Sequence, residues 1–256
     1  MRIVIKVGTS NLTYSTGCLN IRHVEKLVKV ISDIKNAGNE VILVSSGAIA
    51  MGVGKLHLPS RPSDLAGKQA CAAVGQCELM YTYDKLFSEY NHTTAQILLT
   101  APDLQVSDRH EKIENTAEKL LSLGVLPIIN ENDTVSTEEI EFGDNDTLAA
   151  KVAEGVKAEL LILLSDIDGL YSADPKKHPD ATMIKEVYRI DESIEALAEG
   201  AGTKLGTGGM VTKIRAAKIA TESGCDMIIM NGNDPELLYT AVSGEGIGTR
   251  FFAKRS

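Results

Sequence analysis

Two lysines and a glycine-rich loop are the residues of this sequence that could bind a phosphate group. Lys6 lies inside the apolar run RIVIKV and is followed closely by Gly8, while Lys213 follows the loop GTGG at 206–209. A lysine within an apolar strand loses hydration unless an anion compensates its charge or its side chain extends to water. A loop with three glycines can be a flexible turn, or it can turn backbone N–H groups and a helix dipole toward an anion.

The loop matches neither of the common nucleotide-binding fingerprints. No Gly-Lys-Ser/Thr triplet follows it, and Val211 stands where GxGxxG requires its third glycine. Walker-type ATPases and Rossmann dehydrogenases are therefore disfavoured. The histidines are scattered without metal spacing, and no Gly-x-Ser-x-Gly motif occurs, so we predict no metal-ligating residues and no serine hydrolase chemistry.

The segment from Asn130 to Ala150 is rich in carboxylates and amides. Such a run is usually a solvated surface. Its first part, Asn130 to Asp133, directly follows an apolar run, and its last part, Asp144 to Asp146, enters a predicted helix. Carboxylate and amide side chains together suit a ligand that carries both an ammonium group and a carboxylate, which means an amino acid.

Six apolar runs must position these residues, and helical patterns separate most of them. The runs are RIVIKV from Arg2, EVILVS from Glu40, AQILLT from Ala95, VLPIIN from Val125, ELLILLS from Glu159 and DMIIMN from Asp226. Continuous apolar strands separated by helices predict a mainly parallel sheet covered by helices on both faces, an α/β three-layer sandwich.

Helices are predicted from the 3.6-residue period and its stop signals. The first contains Val24, Leu27, Val28, Ile31 and Ile34, with Asn20 as N-cap and Gly38 as the stop. Others are expected near 63–90, 107–123 and 210–223. The stretch 167–199 has no clear sheet partner, so it is predicted to be an excursion or small subdomain. We predict one domain, 1–256, with two lobes that divide near residue 155.

Ligands of open parallel sheets bind beyond the carboxyl ends of the strands, so the residues there are candidates for a binding site. They are Lys6, Gly8, Thr9 and Ser10 after the first run; Ser45, Ser46, Gly47 and Ala48 after the second; Asn130, Glu131, Asn132 and Asp133 after the fourth; and Ser165, Asp166 and Asp168 after the fifth.

Composition limits the classes of partner. The net charge of −9 and the pI near 5.1 argue against nucleic-acid binding as the main function. No apolar run reaches the roughly 18 residues of a membrane span, and the N-terminal residues lack a signal peptide's apolar core, so we expect a soluble cytoplasmic protein. The four cysteines show no Cys-x-x-Cys pair, which favours reduced thiols.

These motifs together resemble the amino acid kinase family, and within it the kinases that act on glutamate. The resemblance extends over nearly the whole chain. It is carried by IKVGTSNLT at Ile5, VSSGAIAMG at Val44, KQACAAVGQ at Lys68, QILLT at Gln96, NENDTVST at Asn130, FGDNDTLAA at Phe142, LLSDIDGLYSADP at Leu163 and GTGGMVTKIRAA at Gly206. Eight blocks in order are specific, where any single block is weak.

The resemblance implies a role for each candidate residue. Lys6 and Lys213 would stabilise the transferred phosphoryl group, and Asp146 would orient them. ATP would be bound by Lys6, Gly8, Ser165, Asp166, Thr207, Gly208, Gly209, Met210 and Lys213. The amino-acid substrate would be bound by Ser46, Gly47, Asn130, Asp133, Asp144 and Asn145.

The resemblance also implies the reaction and its partners. We expect ATP and Mg²⁺ as cofactors, L-glutamate as substrate, a homo-oligomer, and feedback inhibition by proline at the glutamate site. Many family members carry a C-terminal PUA domain, which we expect to be missing because the chain stops soon after GIGTRFFA. Two alternatives stay open: a kinase of this fold that acts on aspartate, acetylglutamate, carbamate or a nucleoside monophosphate, and a non-catalytic regulator that binds nucleotide or amino acid.

Overall fold

The computed structural model describes residues 1–135, 145–175, 177–200 and 209–254. Its strands in these parts of the chain are β1 Arg2–Val7, β2 Glu40–Ser45, β3 Thr94–Leu99, β4 Leu126–Glu131, β5 Leu160–Ser165, β6 Leu170–Tyr171, β7 Met183–Ile184, β8 Glu186–Val187, β9 Asp226–Asn231 and β10 Thr249–Phe251. Its helices there are α1 Thr9–Leu12, α2 Ile21–Asn36, α3 Ala48–Lys55, α4 Leu65–Ser88, α5 Ala101–Gln105, α6 Ser107–Ser122, α7 Asn145–Gly155, α8 Glu192–Gly200, α9 Met210–Glu222 and α10 Leu237–Ser243.

Eight of these strands form one sheet in the order β3-β4-β2-β1-β5-β9-β10-β8. Strands β3, β4, β2, β1, β5 and β9 pair in parallel, and β10 runs antiparallel to β9. The prediction of a mainly parallel sheet is confirmed, and all six predicted runs are strands of it.

Side chains of β1 alternate between two apolar cores, one on each face of the sheet. Val4 packs into the core that includes Leu148 of α7 and Ile214 of α9. Ile3 and Ile5 pack into the opposite core, with side chains of α2 and α4. Each fully buried aliphatic side chain contributes about 1.5–3 kcal/mol to the free energy of unfolding. Cores on both faces confirm the three-layer sandwich.

The helix α2 begins and ends where its sequence signals predict. The Asn20 side chain accepts a hydrogen bond from His23 N, and Gly38 has a φ of +92° directly after the helix end. The predicted helix at 63–90 is α4, which Asp64 caps by accepting a hydrogen bond from Gly67 N at 2.8 Å. Among the described residues, no helix has both the length and the apolar character needed to cross a membrane.

The short helix α3 is not predicted by the sequence pattern, and it packs in direct backbone contact with α4. A Cβ atom at Gly75 of α4 would overlap Ala48 O at the start of α3, and one at Gly52 would overlap Cys71 O. Glycine at both positions therefore lets the two helix backbones touch.

The expectation that 167–199 has no partner in the sheet is wrong. Strand β8 pairs in parallel with β10, with Phe251 opposite Val187. The buried hydroxyl of Thr249 donates a hydrogen bond to Ile184 O at 2.6 Å and accepts one from Leu170 N at 2.7 Å. Strands of two residues are too short to produce a period-2 pattern, so the sequence carries no signal for them.

Candidate active site

The polar residues that follow β1, β2 and β5 lie at one edge of the sheet. Val7, the last residue of β1, is aligned with Ser45 of β2 and with Leu164 of β5. Parallel strands in register bring their carboxyl ends together, so the segments after these strands share one rim.

At this rim, two lysines and one aspartate form a buried ion cluster. Lys6 Nζ lies 2.6 Å from Asp146 Oδ1, and Lys213 Nζ lies 3.0 Å from Asp146 Oδ2. Asp146 is completely buried and each lysine is only 5% exposed. A buried charge must be paired and hydrogen-bonded to be tolerated, and here one carboxylate holds a cation on each of its oxygens.

Three separate elements supply this cluster. Lys6 comes from the interior of β1, Asp146 from the first turn of α7, and Lys213 from the first turn of α9. Helix α7 packs against both α9 and β1. The structure thus brings Lys6 and Lys213 together, as predicted, with Asp146 between them.

The start of α9 adds a hydroxyl to the cluster. Thr212 Oγ1 lies 3.2 Å from Asp146 Oδ2 and 2.8 Å from Gly209 O, so its single hydrogen is shared between two acceptors. Gly209 is the N-cap of α9, and Met210 is its buried first residue. The predicted ATP-binding residues Thr207 and Gly208 lie outside the described part of the chain.

The other candidate ATP-binding residues follow β1 and β5. Gly8 is the N-cap of α1, and a Cβ atom placed there would lie 3.9 Å from Lys6 Nζ. Ser165 is buried at the end of β5 and donates a hydrogen bond of 3.2 Å to the exposed Asp166. A glycine beside a buried lysine leaves room for a phosphate to approach the backbone.

Three of the predicted substrate-binding residues form one hydrogen-bond network. Asn145 Nδ2 lies 2.9 Å from Ser46 Oγ, 2.9 Å from Asn130 Oδ1 and 3.1 Å from Ser45 O. Asn145 is the residue before Asp146, so the amide network and the ion cluster meet at the first turn of α7.

The predicted substrate-binding residue Gly47 connects β2 to α3 in a left-handed conformation. Its φ is +101°, a region that a residue with a Cβ atom reaches only at a cost, and a Cβ there would lie 3.2 Å from Leu12 Cδ1. Ser46 N donates to Val7 O at 3.0 Å, which ties this turn to the end of β1.

Asp133 follows β4, and its carboxyl is a weaker acid than usual. Burial first and the neighbouring Glu131 second raise the pKa of its carboxyl to about 6, against a smaller opposing effect of Arg61. No hydrogen bond joins Asp133 to Asn145 among the described residues. The remaining candidate, Asp144, lies outside the described part of the chain.

Several residues of the site were missed by sequence reasoning. Gln76 of α4 accepts a hydrogen bond from Asn130 Nδ2 at 2.8 Å, and the hydroxyl of Tyr83 lies 2.9 Å from Ser45 Oγ. Arg61 was also not singled out. A glutamine inside the small, apolar stretch CAAVGQC is a signal that could have identified Gln76.

Among the described residues, no group of three His, Cys, Asp or Glu side chains could hold a metal ion. Mg²⁺ usually binds through one or two carboxylates together with substrate phosphates and waters. The side chains here therefore fit a metal that arrives with a nucleotide better than a metal caged by protein.

Comparison with known proteins points to one family. A model described as the amino acid kinase family matches residues 1–231. A glutamate 5-kinase of Clostridium perfringens is 54% identical over 258 residues, which cover 99% of this chain and 96% of the relative. A glutamate 5-kinase of Carboxydothermus hydrogenoformans is also 54% identical, over 99% of this chain and 68% of the relative.

Solved structures with much lower identity share the fold. A carbamate kinase from Giardia lamblia bound to AMP-PNP superposes with a TM-score of 0.70 at 17% identity, covering 99% of this chain and 98% of the other. A UMP kinase from Bacillus anthracis gives a TM-score of 0.66 at 14% identity, covering 99% and 96%. At such identity the likeness supports the sandwich architecture alone.

Proposed function

This chain belongs to the amino acid kinase family, and we propose that it transfers the γ-phosphoryl group of ATP to the side-chain carboxylate of L-glutamate. The observation that carries the proposal is the buried cluster of Lys6, Asp146 and Lys213 at the rim of the sheet. The high identity to glutamate 5-kinases over nearly the whole chain supports glutamate as the acceptor. The product is γ-glutamyl phosphate, the first intermediate toward proline.

Phosphoryl transfer to glutamate requires positively charged groups at the site but no general base. The glutamate side chain, with a pKa of about 4.3, is already ionised at neutral pH, so no residue has to remove a proton from it. Two unit charges of like sign about 4 Å apart repel by about 4 kcal/mol at an effective dielectric of about 20. Bringing the carboxylate to the negative γ-phosphate therefore requires fixed positive charge.

Lys6 and Lys213 are proposed to supply that charge, and Asp146 to hold both ammonium groups in place. Because each lysine contacts a different oxygen of one buried carboxylate, we expect Asp146 to keep both Nζ atoms at the site during the reaction. Preorganised cations of this kind stabilise a phosphoryl transition state without reorganisation. Mg²⁺ would be held by the ATP phosphates and would supply further neutralisation of their charge.

The remaining candidates are assigned by element. We propose that ATP binds to residues after β1 and β5 and at the start of α9, in a lobe of about 156–256 together with the end of β1. Glutamate is proposed to bind in the lobe of about 1–155. The ATP-binding residues are Lys6, Gly8, Ser165, Asp166, Gly209, Met210 and Lys213, with Thr207 and Gly208; the glutamate-binding residues are Ser46, Gly47, Asn130, Asp133 and Asn145, with Asp144.

The proposal also includes inhibition by proline, the oligomeric state and the cellular compartment. Proline is smaller than glutamate but carries the same α-carboxylate and an ammonium group, so it could compete at the glutamate site. We also propose a homo-oligomer that acts in the cytoplasm. The four cysteines are unpaired thiols, which supports a reducing compartment.

An ADP-release assay with purified protein tests the proposal. Glutamate, aspartate, N-acetylglutamate, carbamate and UMP are offered in parallel, with ATP and Mg²⁺. We expect turnover with glutamate alone. Turnover confined to another acceptor would replace the substrate, and ATP binding without turnover of any acceptor would favour a regulator.

A further inference from the structure

The buried side chain of Gln76 on helix α4 bonds directly to Asn130 of the glutamate-binding network. Its Oε1 lies 2.8 Å from Asn130 Nδ2, and the residue is 8% exposed. The neighbouring Gly75 allows this approach, because α4 touches the backbone of Ala48 there and any larger residue would push the helix away. Gln76 is thus set against the site by direct contact between the backbones of α3 and α4.

Each amide of this network has one backbone partner that reveals its orientation. Ser45 O can only accept a hydrogen bond, so the atom of Asn145 that faces it at 3.1 Å must be Nδ2. Glu131 N can only donate, so the atom of Asn130 that faces it at 2.9 Å must be Oδ1. Reversing either amide would place two acceptors or two donors against each other.

The orientations of Asn130 and Asn145 then decide which of their atoms face Gln76 and which face the ligand. Since Asn130 Oδ1 accepts from Asn145 and from Glu131 N, Asn130 Nδ2 faces α4 and needs an acceptor, which Gln76 Oε1 provides. Asn145 Oδ1 is turned away from all three partners of its Nδ2, and no described residue donates a hydrogen bond to it. Asn145 therefore offers an acceptor to whatever binds beside it.

Ser46, unlike Asn145, presents a hydrogen-bond donor to the ligand. An amide nitrogen has no lone pair to offer, so Ser46 Oγ accepts the hydrogen bond from Asn145 Nδ2 and keeps its own hydrogen for another partner. The network thus places one acceptor, Asn145 Oδ1, and one donor, the Ser46 hydroxyl, next to each other. Glutamate carries one group that can only donate, its ammonium, and two carboxylates that can only accept.

We infer that Gln76 is a positioning residue that, through Asn130, holds Asn145 with Oδ1 toward the ligand, so that Asn145 selects the ammonium group of the substrate. This inference rests on the proposed function, because it concerns recognition at the same glutamate site. Gln76 acts through Asn130 and contacts neither the ion cluster nor the reacting oxygens. Its removal leaves the buried Nδ2 of Asn130 without an acceptor, so that Asn130, and through it Asn145, is held by fewer hydrogen bonds.

The test compares glutamate with glutarate, which is glutamate without its amino group, in steady-state assays of four proteins. They are the wild type, Gln76→Met, which has similar volume but no acceptor, Gln76→Asn, which shortens the amide, and Gln76→Glu, which keeps an acceptor oxygen in either protonation state. For Gln76→Met and Gln76→Asn we expect kcat/KM for glutamate to fall about tenfold, corresponding to about 1.4 kcal/mol, with glutarate changed less than about twofold. Gln76→Glu should stay within about threefold of the wild type for both acids.

The control variant is Thr221→Val, which removes a buried hydroxyl that bonds to Ala217 O within α9. It should lower the melting temperature without changing the ratio of glutamate to glutarate. An unchanged ratio in Gln76→Met and Gln76→Asn overturns the inference, as does a Gln76→Glu variant as impaired as Gln76→Met. Wild-type turnover of glutamate in the same assays tests the proposed function separately, since a protein that ignores glutamate would contradict that function whatever the variants do.

Discussion

Lys6 Nζ and Asp146 Oδ1 lie 2.6 Å apart in the protein interior, one at the end of the first strand and the other at the start of α7. The second oxygen of the same carboxylate holds Lys213. The spacing of the two cations is thus set by the width of one carboxylate. We therefore expect substitution of the lysines and substitution of Asp146 to have different effects.

Replacing either lysine by methionine should reduce turnover more than it weakens the binding of ATP. Lys6→Met and Lys213→Met keep the side-chain length but remove a cation from the transition state, so we expect kcat to fall about 10²-fold or more. Steady-state kinetics with ATP and glutamate measure this. Lys218→Ala on the same helix is the control, because its ion pair with Glu195 is partly exposed and contributes little. Near-normal kcat in both methionine variants would refute the electrostatic mechanism.

Asp146→Asn should damage stability as well as turnover. The variant keeps the shape of the side chain but leaves two buried lysines without their shared anion, which we expect to lower the free energy of unfolding by about 3–5 kcal/mol. An added anion can restore part of that loss, so ATP should raise the melting temperature of Asp146→Asn more than that of the wild type.

Urea unfolding and thermal melts with and without ATP measure the two effects. Asp234→Asn is the matched control, since that carboxylate pairs with Lys26 at the surface, and its stability should be nearly unchanged. Equal stability of Asp146→Asn and the wild type would show that the carboxylate is not needed to hold the lysines.

Glutamate binding should weaken as the pH falls through about 6. Burial and Glu131 raise the pKa of Asp133 to about 6, and only the ionised carboxylate attracts the substrate's ammonium group. We expect kcat/KM for glutamate to decline below that pH, because this quantity reports the free enzyme. Asp133→Asn should lower kcat/KM at pH 8 and remove the inflection near pH 6. A profile for Asp133→Asn with the same inflection would assign it to another group.

The raised pKa of Asp133 also makes the free energy of unfolding depend on pH, and this dependence runs opposite to that of glutamate binding. Because the folded pKa of Asp133 lies above the unfolded value of about 3.9, its contribution favours the folded state at low pH and is lost as the pH rises through about 6. Asp133→Asn should therefore melt at a higher temperature than the wild type at pH 8 and show little difference near pH 4. A destabilised Asp133→Asn at pH 8 would contradict this.

Gly47→Ala should impair both folding and glutamate binding. At a φ of +101°, an added Cβ atom costs about 1–2 kcal/mol and also lies close to Leu12, so the turn that carries Ser46 must shift. Gly38→Ala is the control, because its φ is +92° but nothing lies within 4 Å of its Cβ position. We expect a similar loss of stability in both variants and a raised KM for glutamate only in Gly47→Ala. Equal KM values would place Gly47 outside the binding site.

The sequence by itself determined the sheet, most of its helices and the identity of the rim. Strands such as β1 and helices such as α2 have a local apolar pattern that can be recognised without knowledge of their tertiary partners. Polar residues at the carboxyl ends of strands, such as Ser46 directly after β2 and Asn130 near the end of β4, can likewise be located from the sequence. Short strands such as β8 escaped detection because two residues have no period, and helix α3 because its glycines obscure one.

Only the tertiary structure decided which of these residues touch. The family resemblance gives Asp146 an orienting role, but no local pattern near Lys6 indicates a direct ion pair with it, and none near Gln76 indicates a hydrogen bond to Asn130. A sequence pattern records which face of an element is buried, whereas a hydrogen bond between elements depends on their packing to within a few tenths of an ångström. The two lysines of the rim became a pair when the packing of α7 against β1 and α9 placed one carboxylate between them.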